Sequence, residues 1–455
     1  MTENSKHIHF IAIGGSLMHN LALALHDKGY TVTGSDDEIY EPSRSKLDEA
    51  GLLPEAMGWF PERIHSGLSA IILGMHARED NPELSRAREL NIPIYSFPEF
   101  IYQQSLNKQR IVITGSHGKS TITAMIMHVL SYHNRVFDYA VGAEVPGFHR
   151  TVRLTEAPVI IIEGDEYLSS AIDREPKFLK YQHHIALISG IAWDHINVFP
   201  TEAEYIEQFE NLADRTPKAG SLAYNEEDPA TRAIGEKERE DVMRLPYGTP
   251  SFEVINGETT LIHPEGKVKL RVFGKHNLQN IMGAKQVLSR IGITEPMFYE
   301  AIGSFEGAGR RLEEVASNGK SIIFRDYAHA PSKARATIDA VREQYPGRSI
   351  TACLELHTFS SLNEEFLPQY KSTMDNADHA FVYFNPKTIE HKKLPALDPA
   401  TVKAAFGNDK VRIFTDKNDL LEALQHEDPS NRIILLMSSG TFDALDMEKV
   451  SGLIA

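Results

Sequence analysis

Short apolar runs closed by glycine or acidic residues recur along the chain, and the stretches between them carry helical apolar spacing. His7 to Ile13 is such a run, ended by Gly14-Gly15; Leu17 to Lys28 then reads as a helix that stops at Gly29. Tyr30 to Gly34 predicts a second strand, closing on Ser35-Asp36-Asp37, and Ala70 to Leu73 and Ile92 to Tyr95 predict further buried strands. Strand, glycine turn, helix, strand and an acidic end is the order of a nucleotide-binding βαβ unit. The glycine pattern is thin, because Ala12, Gly14 and Leu17 stand where a dinucleotide fingerprint has its three glycines. A generic α/β turn is an equal reading of that stretch.

The pattern restarts at Arg110. Ile111-Val112-Ile113 predicts a strand, Thr114 to Lys119 a glycine-containing loop and Ser120 to Tyr132 a helix. Val159 to Ile162 and Ile185 to Ile188 predict buried strands, each followed at once by polar residues. Ser251 to Phe273 alternates, with turn signals, as a small antiparallel excursion does, and Asn277 to Arg290 returns to helical spacing. From Gly309 a third series begins, with strands at Ser321 to Phe324, Ser349 to Leu354, Ala380 to Tyr383, Val411 to Phe414 and Ile433 to Met437. The expected organisation is α/β throughout, in three domains at 1–108, 109–308 and 309–455, a number that the 455-residue length also supports.

Charge and cysteine usage narrow the class. A net charge of −16 argues against a broad nucleic-acid surface, which needs clustered Lys and Arg, yet leaves room for a local phosphate site built from backbone N–H groups. Cys353 is the single cysteine and has no partner for an intrachain disulfide. Met1 to Lys6 is polar with no apolar segment of signal-peptide type behind it, and no apolar run approaches the ~20 residues of a membrane span. A cytoplasmic protein without membrane or nucleic-acid partners is expected.

Thr114-Gly115-Ser116-His117-Gly118-Lys119-Ser120-Thr121 is the most informative stretch. It falls between a predicted strand and a predicted helix, the setting of a phosphate loop. Gly115 and Gly118 let the backbone curl so that N–H groups face phosphate oxygens, Lys119 reaches the β and γ phosphates, and the Ser120 hydroxyl is placed for Mg²⁺. Ile113 stands where a standard Walker A loop has its first glycine, so the spacing is the shorter G-x-x-G-K-S.

This loop closely resembles the ATP loop of the Mur ligase superfamily, which joins amino acids or peptides to UDP-N-acetylmuramic acid, and the resemblance runs over essentially the whole chain. Within the superfamily the chain looks most like the murein peptide ligases of wall recycling, which take L-alanyl-γ-D-glutamyl-meso-diaminopimelate. The stretches that carry this are Val32-Thr33-Gly34-Ser35-Asp36 followed by Ile39-Tyr40-Glu41-Pro42, Gly74-Met75-His76-Ala77, Glu163-Gly164-Asp165-Glu166-Tyr167 and Trp193-Asp194-His195. The resemblance implies a Rossmann-like N-terminal domain, a central P-loop ATPase domain and a Rossmann-like C-terminal domain.

It also implies roles. ATP is expected on Gly115, Ser116, His117, Gly118, Lys119, Ser120 and Thr121, with Asn277 and Asn280 at the adenine, Asp326 at the ribose and Arg311 at the phosphates. Mg²⁺ is expected on Ser120 and Glu163, with His195 near a second metal; Lys119, Glu163, His195 and Arg311 form the catalytic set. Gly14, Gly15, Ser35, Asp36 and His76 are expected at UDP-N-acetylmuramate. Plainer readings stand beside these: a solvated acidic turn for Glu163, Asp165 and Glu166, helix capping for Asn277, and an exposed pair for Arg310 and Arg311. In Asp326-Tyr327-Ala328-His329-Ala330-Pro331, Ala330 replaces the second histidine of the family signature, which puts that histidine's role in doubt.

The expected reaction is activation of the lactyl carboxylate as an acyl phosphate, followed by attack of an amine and loss of phosphate. A murein tripeptide is the expected amine, because Leu356-His357-Thr358-Phe359-Ser360 lacks the arginine that relatives adding L-alanine carry there. The alternatives are L-alanine itself, a P-loop kinase or ATPase that stops at phosphoryl transfer, and a catalytically degenerate protein that only binds UDP-muramyl precursors.

Overall fold

The apolar runs become strands of parallel sheets, buried on both faces as such sheets are. The protein, a computed structural model, is described over residues 6–309, 311–427 and 431–454; the start of the chain at 1–5 and Arg310 lie outside the described residues. It divides into two units. The first runs through Ile191 and adds Ala203–Tyr247 and Gly283–Phe298; the second takes Ala192–Glu202, Gly248–Met282 and the chain from Tyr299.

The first unit holds two main sheets. β1 (His7–Ile11), β2 (Thr31–Ser35), β3 (Ala70–Leu73) and β4 (Ile94–Ser96) form a parallel sheet in the order β2-β1-β3-β4. The second sheet draws on β5 (Gln109–Thr114), β6 (Asp138–Ala140), β7 (Val152–Arg153), β8 (Val159–Glu163), β11 (Ile185–Ile188), β12 (Ser221–Asn225) and β13 (Met243–Tyr247). A hairpin of β9 (Leu168–Ser170) and β10 (Asp173–Pro176) intervenes. The seven-stranded order is β13-β12-β11-β5-β8-β6-β7, parallel except for β7. β5 therefore lies between β11 and β8, and the loop leaving its carboxyl end is flanked by the ends of both. The register pairs Ile113 with Glu163 and Thr114 with Ile188, which sets the carboxyl ends level. Ligands of open α/β sheets bind at such ends.

The second unit contains an antiparallel sheet of β14 (Phe252–Ile255), β15 (Glu258–His263) and β16 (Gly266–Leu270). Its larger sheet has the order β17-β18-β22-β19-β20-β21, from β17 (Glu313–Ser317), β18 (Ile322–Asp326), β19 (Ser349–Glu355), β20 (His379–Tyr383), β21 (Val411–Phe414) and β22 (Arg432–Met437). All pairs are parallel except the edge strand β17 against β18. Cys353, in β19, is buried, and burial pushes its thiol well above the usual range.

Several element ends differ from the sequence reading by a residue or two. Lys119 is the first residue of its helix rather than the last of the loop, and Glu163 is the last residue of β8 rather than the first beyond it. Among the described residues no helix is long and apolar enough to cross a membrane.

Candidate active site

The loop after β5 is shaped by what two glycines alone can do. Gly115 has φ +123°, and a Cβ there would stand 2.2 Å from Ser189 Oγ, just past β11. Any other residue meets both strain and a clash. Gly118, at φ +83°, precedes the helix Lys119–Tyr132. The Ser116 N–H donates to Gly190 O at 2.8 Å, and the Ser189 hydroxyl donates to Thr114 O at 3.0 Å and to His117 O. The hairpin is thus clamped by the neighbouring strand end.

Charges gather around it. Lys119 Nζ donates to Gly115 O and to Glu166 Oε2, each at 2.6 Å. Burial would lower the lysine's pKa, but Glu166, Asp165 and Glu163 outweigh it and hold the ammonium above its ordinary range. Tyr205 OH donates to Glu166 Oε1 at 3.1 Å and lies 2.8 Å from Ser116 Oγ. Asp165 pairs with Lys177 at 2.6 Å; burial pushes its carboxyl up, and Lys177 and Lys119 pull it below the usual carboxylate range. On the other side of the loop the Ser120 hydroxyl donates to Glu163 Oε1 at 2.8 Å, and the Gly142 N–H to Glu163 Oε2 at 3.0 Å. The three acidic residues are therefore individually placed, two against lysines and one against the loop hydroxyl.

A hydroxyl and a carboxylate side by side are hard oxygen donors, the kind Mg²⁺ takes while phosphates and water complete its shell. The residues fit that ion. Glu166 as the lysine's partner, Tyr205 and the Gly142 amide were not anticipated as part of this site. Tyr205 and Gly142 carry no local motif, and only the fold brings them to residue 119.

At the first sheet, Ala12 takes φ +69°, a conformation glycine adopts without strain, and its N–H donates to Ser35 O at 2.9 Å. Asp36 accepts from the N–H groups of Gly14 at 2.7 Å and Asp37 at 3.0 Å. A Cβ on Gly14 would lie 2.9 Å from Asp36 Oδ2 and 2.8 Å from Ile39. Gly14, Ser35 and Asp36 thus come together; Gly15 begins the turn into the helix Ser16–Asp27, and His76 is exposed in the turn after β3. Burial raises the Asp36 carboxyl to about 6, against the pull of the Gly14 amide. A group raised on folding contributes stability below its unfolded pKa of about 4 and loses it as pH climbs through 6. Asp36→Asn should therefore gain melting temperature relative to the unsubstituted protein between pH 4 and pH 7, checked by thermal denaturation; a pH-independent difference would refute this.

In the second unit, Arg311 lies over the Tyr327 ring at 4.9 Å. Asp326 accepts from the N–H groups of Leu312 at 2.6 Å and Ala328 at 2.7 Å, so its carboxylate also shapes the turn that carries Arg311. His329 Nδ1 donates to Tyr327 O at 2.8 Å, and burial and Lys333 drive its pKa down to about 3, leaving a neutral ring. His195 has φ +56°, and its N–H donates to Asp194 Oδ1 at 2.7 Å, an oxygen that also accepts from Ser360 Oγ at 3.3 Å. Asn277 and Asn280 are both buried in the helix Lys275–Ser289. Asn277 is not that helix's cap: it is the third helical residue, and its amide donates to Phe273 O at 2.8 Å.

The family profile for the Mur ligase middle domain matches residues 113–288, that for the Mur ligase family catalytic domain 7–109, and that for the Mur ligase glutamate ligase domain 310–440. A UDP-N-acetylmuramate–L-alanine ligase of Desulfitobacterium hafniense is 30% identical over 83% of this chain and 84% of its own. One of Lactiplantibacillus plantarum is 29% identical over 97% of each chain. Among solved structures, a murein peptide ligase from Psychrobacter arcticus superposes with TM-score 0.66 at 21% identity over 98% of both chains. A UDP-N-acetylmuramate–alanine ligase from Thermotoga maritima does so with TM-score 0.69 at 20% identity, also over 98% of both. At those identities the two structures speak to the fold, a mixed α/β three-domain one with mostly parallel sheets. The chain belongs to the Mur ligase family, ATP-dependent ligases that form C–N amide bonds in peptidoglycan synthesis.

Proposed function

We propose that this ligase joins the lactyl carboxylate of UDP-N-acetylmuramate to the amine of L-alanyl-γ-D-glutamyl-meso-diaminopimelate through an acyl phosphate, in cytoplasmic wall recycling. The observation that supports this amine is the loop after β19. It has His357, Thr358 and Phe359 and no arginine; Phe359 is 47% exposed, and the Lys392 ammonium sits 4.3 Å from its ring centroid. An open aromatic face beside a cation suits an extended acidic peptide better than a closed pocket for one methyl group. The names of the curated relatives favour a second reading, in which free L-alanine is the amine. Both readings share an L-alanyl nucleophile.

In this proposal Gly115 to Thr121 cradle the triphosphate, with Lys119 exchanging Glu166 for phosphate oxygens. Ser120 and Glu163 hold Mg²⁺, with His195 near a second ion; when bound, the metal neutralises charge on the transferring phosphoryl group. Arg311 adds positive charge at the phosphates, Asn277 and Asn280 hold the adenine, and Asp326 meets the ribose. Gly14, Gly15, Ser35, Asp36 and His76 receive the UDP sugar, and the domains divide near 108 and 308. Incubation with ATP, UDP-N-acetylmuramate and either the tripeptide or L-alanine, read by mass spectrometry, tests the amine. The tripeptide adduct should predominate. An L-alanine adduct alone transfers the proposal to the second reading, and phosphate release without any amine adduct defeats both.

A further inference from the structure

At the opposite, amino-end side of the seven-stranded sheet lies a cavity of about 670 Å³, whose lining includes Tyr95, Lys180, Arg110 and His184 together with the carboxylates of Glu99 and Glu175. Its volume is that of a small-molecule site. Arg110, the second residue of β5, is 7% exposed. Its Nε donates to Gln182 O at 2.9 Å and its Nη1 to Ser105 O at 2.8 Å and Lys108 O at 3.4 Å. No carboxylate pairs with it among the described residues. The other cations of the cavity are matched: Lys180 pairs with Asp173 and Glu175, and Arg215 pairs with Glu175 at 2.7 Å. Burying a guanidinium without a counter-ion is costly, since carbonyl dipoles replace its hydration only in part.

The imidazole beside it sharpens the point. The backbone N–H of Arg110 donates to His184 Nδ1 at 3.0 Å, so that nitrogen carries a lone pair. The proton of the neutral ring then sits on Nε2. Burial and the nearby Arg110 charge both keep the ring neutral. Nε2 lies 3.4 Å from Arg110 Nη2, and two N–H donors therefore face one another with no acceptor between them. An oxygen bearing negative charge, set against both, would satisfy the two donors and the unmatched charge together.

We propose that this cavity is a second ligand site, in which Arg110 and His184 bind the oxyanion, carboxylate or phosphate ester, of a small molecule whose body rests on Tyr95. It is separate from the phosphate loop. β5 connects Arg110 to Thr114 at roughly 3.3 Å per residue, so the two sites lie at opposite ends of one strand.

The test is calorimetric titration of the full-length protein, its phosphate loop filled with Mg²⁺ and a non-hydrolysable ATP analogue, with phenyl phosphate, benzoate and phenol. Arg110→Lys removes Nη2, but Arg110 also anchors three carbonyls and the variant can fail to fold. His184→Asn decides the matter, because its Oδ1 can still accept the Arg110 N–H while the Nε2 donor is gone. At least one of the two anions should bind, phenol should not, and His184→Asn, with an unchanged melting temperature, should weaken the anion on the order of tenfold or more. The stronger of the two anions identifies the headgroup. Absence of binding by both anions at about 10 mM, or equal binding by His184→Asn and the unsubstituted protein, overturns the site. Equal binding of phenol would mean that the cavity takes apolar rings without reading charge, and overturns it as well.

Discussion

Lys119→Ala should reduce ATP-dependent amide formation on the order of a thousandfold or more, with ATP affinity falling alongside the rate. The magnitude comes from the surroundings of the ammonium. Glu163, Asp165 and Glu166 all lie close enough to shift its pKa, so the loop without its lysine presents a polyanion with net negative charge. The same substitution leaves Glu166, 2% exposed, as a buried carboxylate without its cation, which costs about 3–5 kcal/mol of stability when one partner of a buried pair is removed. A loss of activity in the single variant therefore mixes chemistry with unfolding. Lys119→Ala combined with Glu166→Gln separates them: the amide still accepts from Tyr205, the melting temperature should recover, and the rate should not. Turnover near that of the unsubstituted enzyme in the folded double variant would mean that the loop does not hold the triphosphate.

The parts of this fold that sequence reading reaches are those with dense local signal. β5, β8, β11 and five strands of the C-terminal sheet, β18, β19, β20, β21 and β22, are largely apolar runs, and each lies within a residue or two of its expected place. β12 escaped because Ser-Leu-Ala-Tyr-Asn has no sustained β-branched run, although all five residues are buried. β13 contains Pro246 and survives as an edge strand, where a missing N–H costs nothing in the ladder. β7 has two residues and no pattern to read.

The candidate site divides in the same way. Gly115, Gly118, Lys119 and Ser120 are contiguous or nearly so and announce themselves by spacing. That Glu166 rather than Glu163 takes the lysine, and that Glu163 instead meets Ser120, is decided by strand register and by Tyr205, none of which local sequence records. The thin glycine pattern of the first sheet also has a structural counterpart. Ala12 adopts the left-handed conformation although it is not glycine, and Asp36 closes the turn by accepting the Gly14 N–H. That carboxylate stands 22 residues further along the chain, at the end of the neighbouring strand, and no fingerprint of glycines alone would reveal it.

Glu163→Gln should raise the Mg²⁺ concentration needed for half-maximal activity on the order of tenfold to a hundredfold, with much of the rate recovered when Mg²⁺ is in large excess. Glutamine keeps the length of the side chain and an oxygen for the Ser120 hydroxyl to donate to, so the loop has little reason to collapse. It lacks the negative charge, and its amide hydrogens oppose the Gly142 N–H that Glu163 Oε2 now accepts. In the proposed site, binding of a hard divalent cation would depend on that charge, whereas cradling of the triphosphate would depend on backbone N–H groups that the substitution does not touch. The effect should therefore appear in the metal titration far more than in the ATP dependence measured at saturating metal. Mn²⁺ binding followed by electron paramagnetic resonance gives a second readout that needs no turnover, and it should weaken in parallel. A Glu163→Gln enzyme with the Mg²⁺ dependence and Mn²⁺ affinity of the unsubstituted protein would remove the metal from β8, and Asp165 would become the carboxylate to test next.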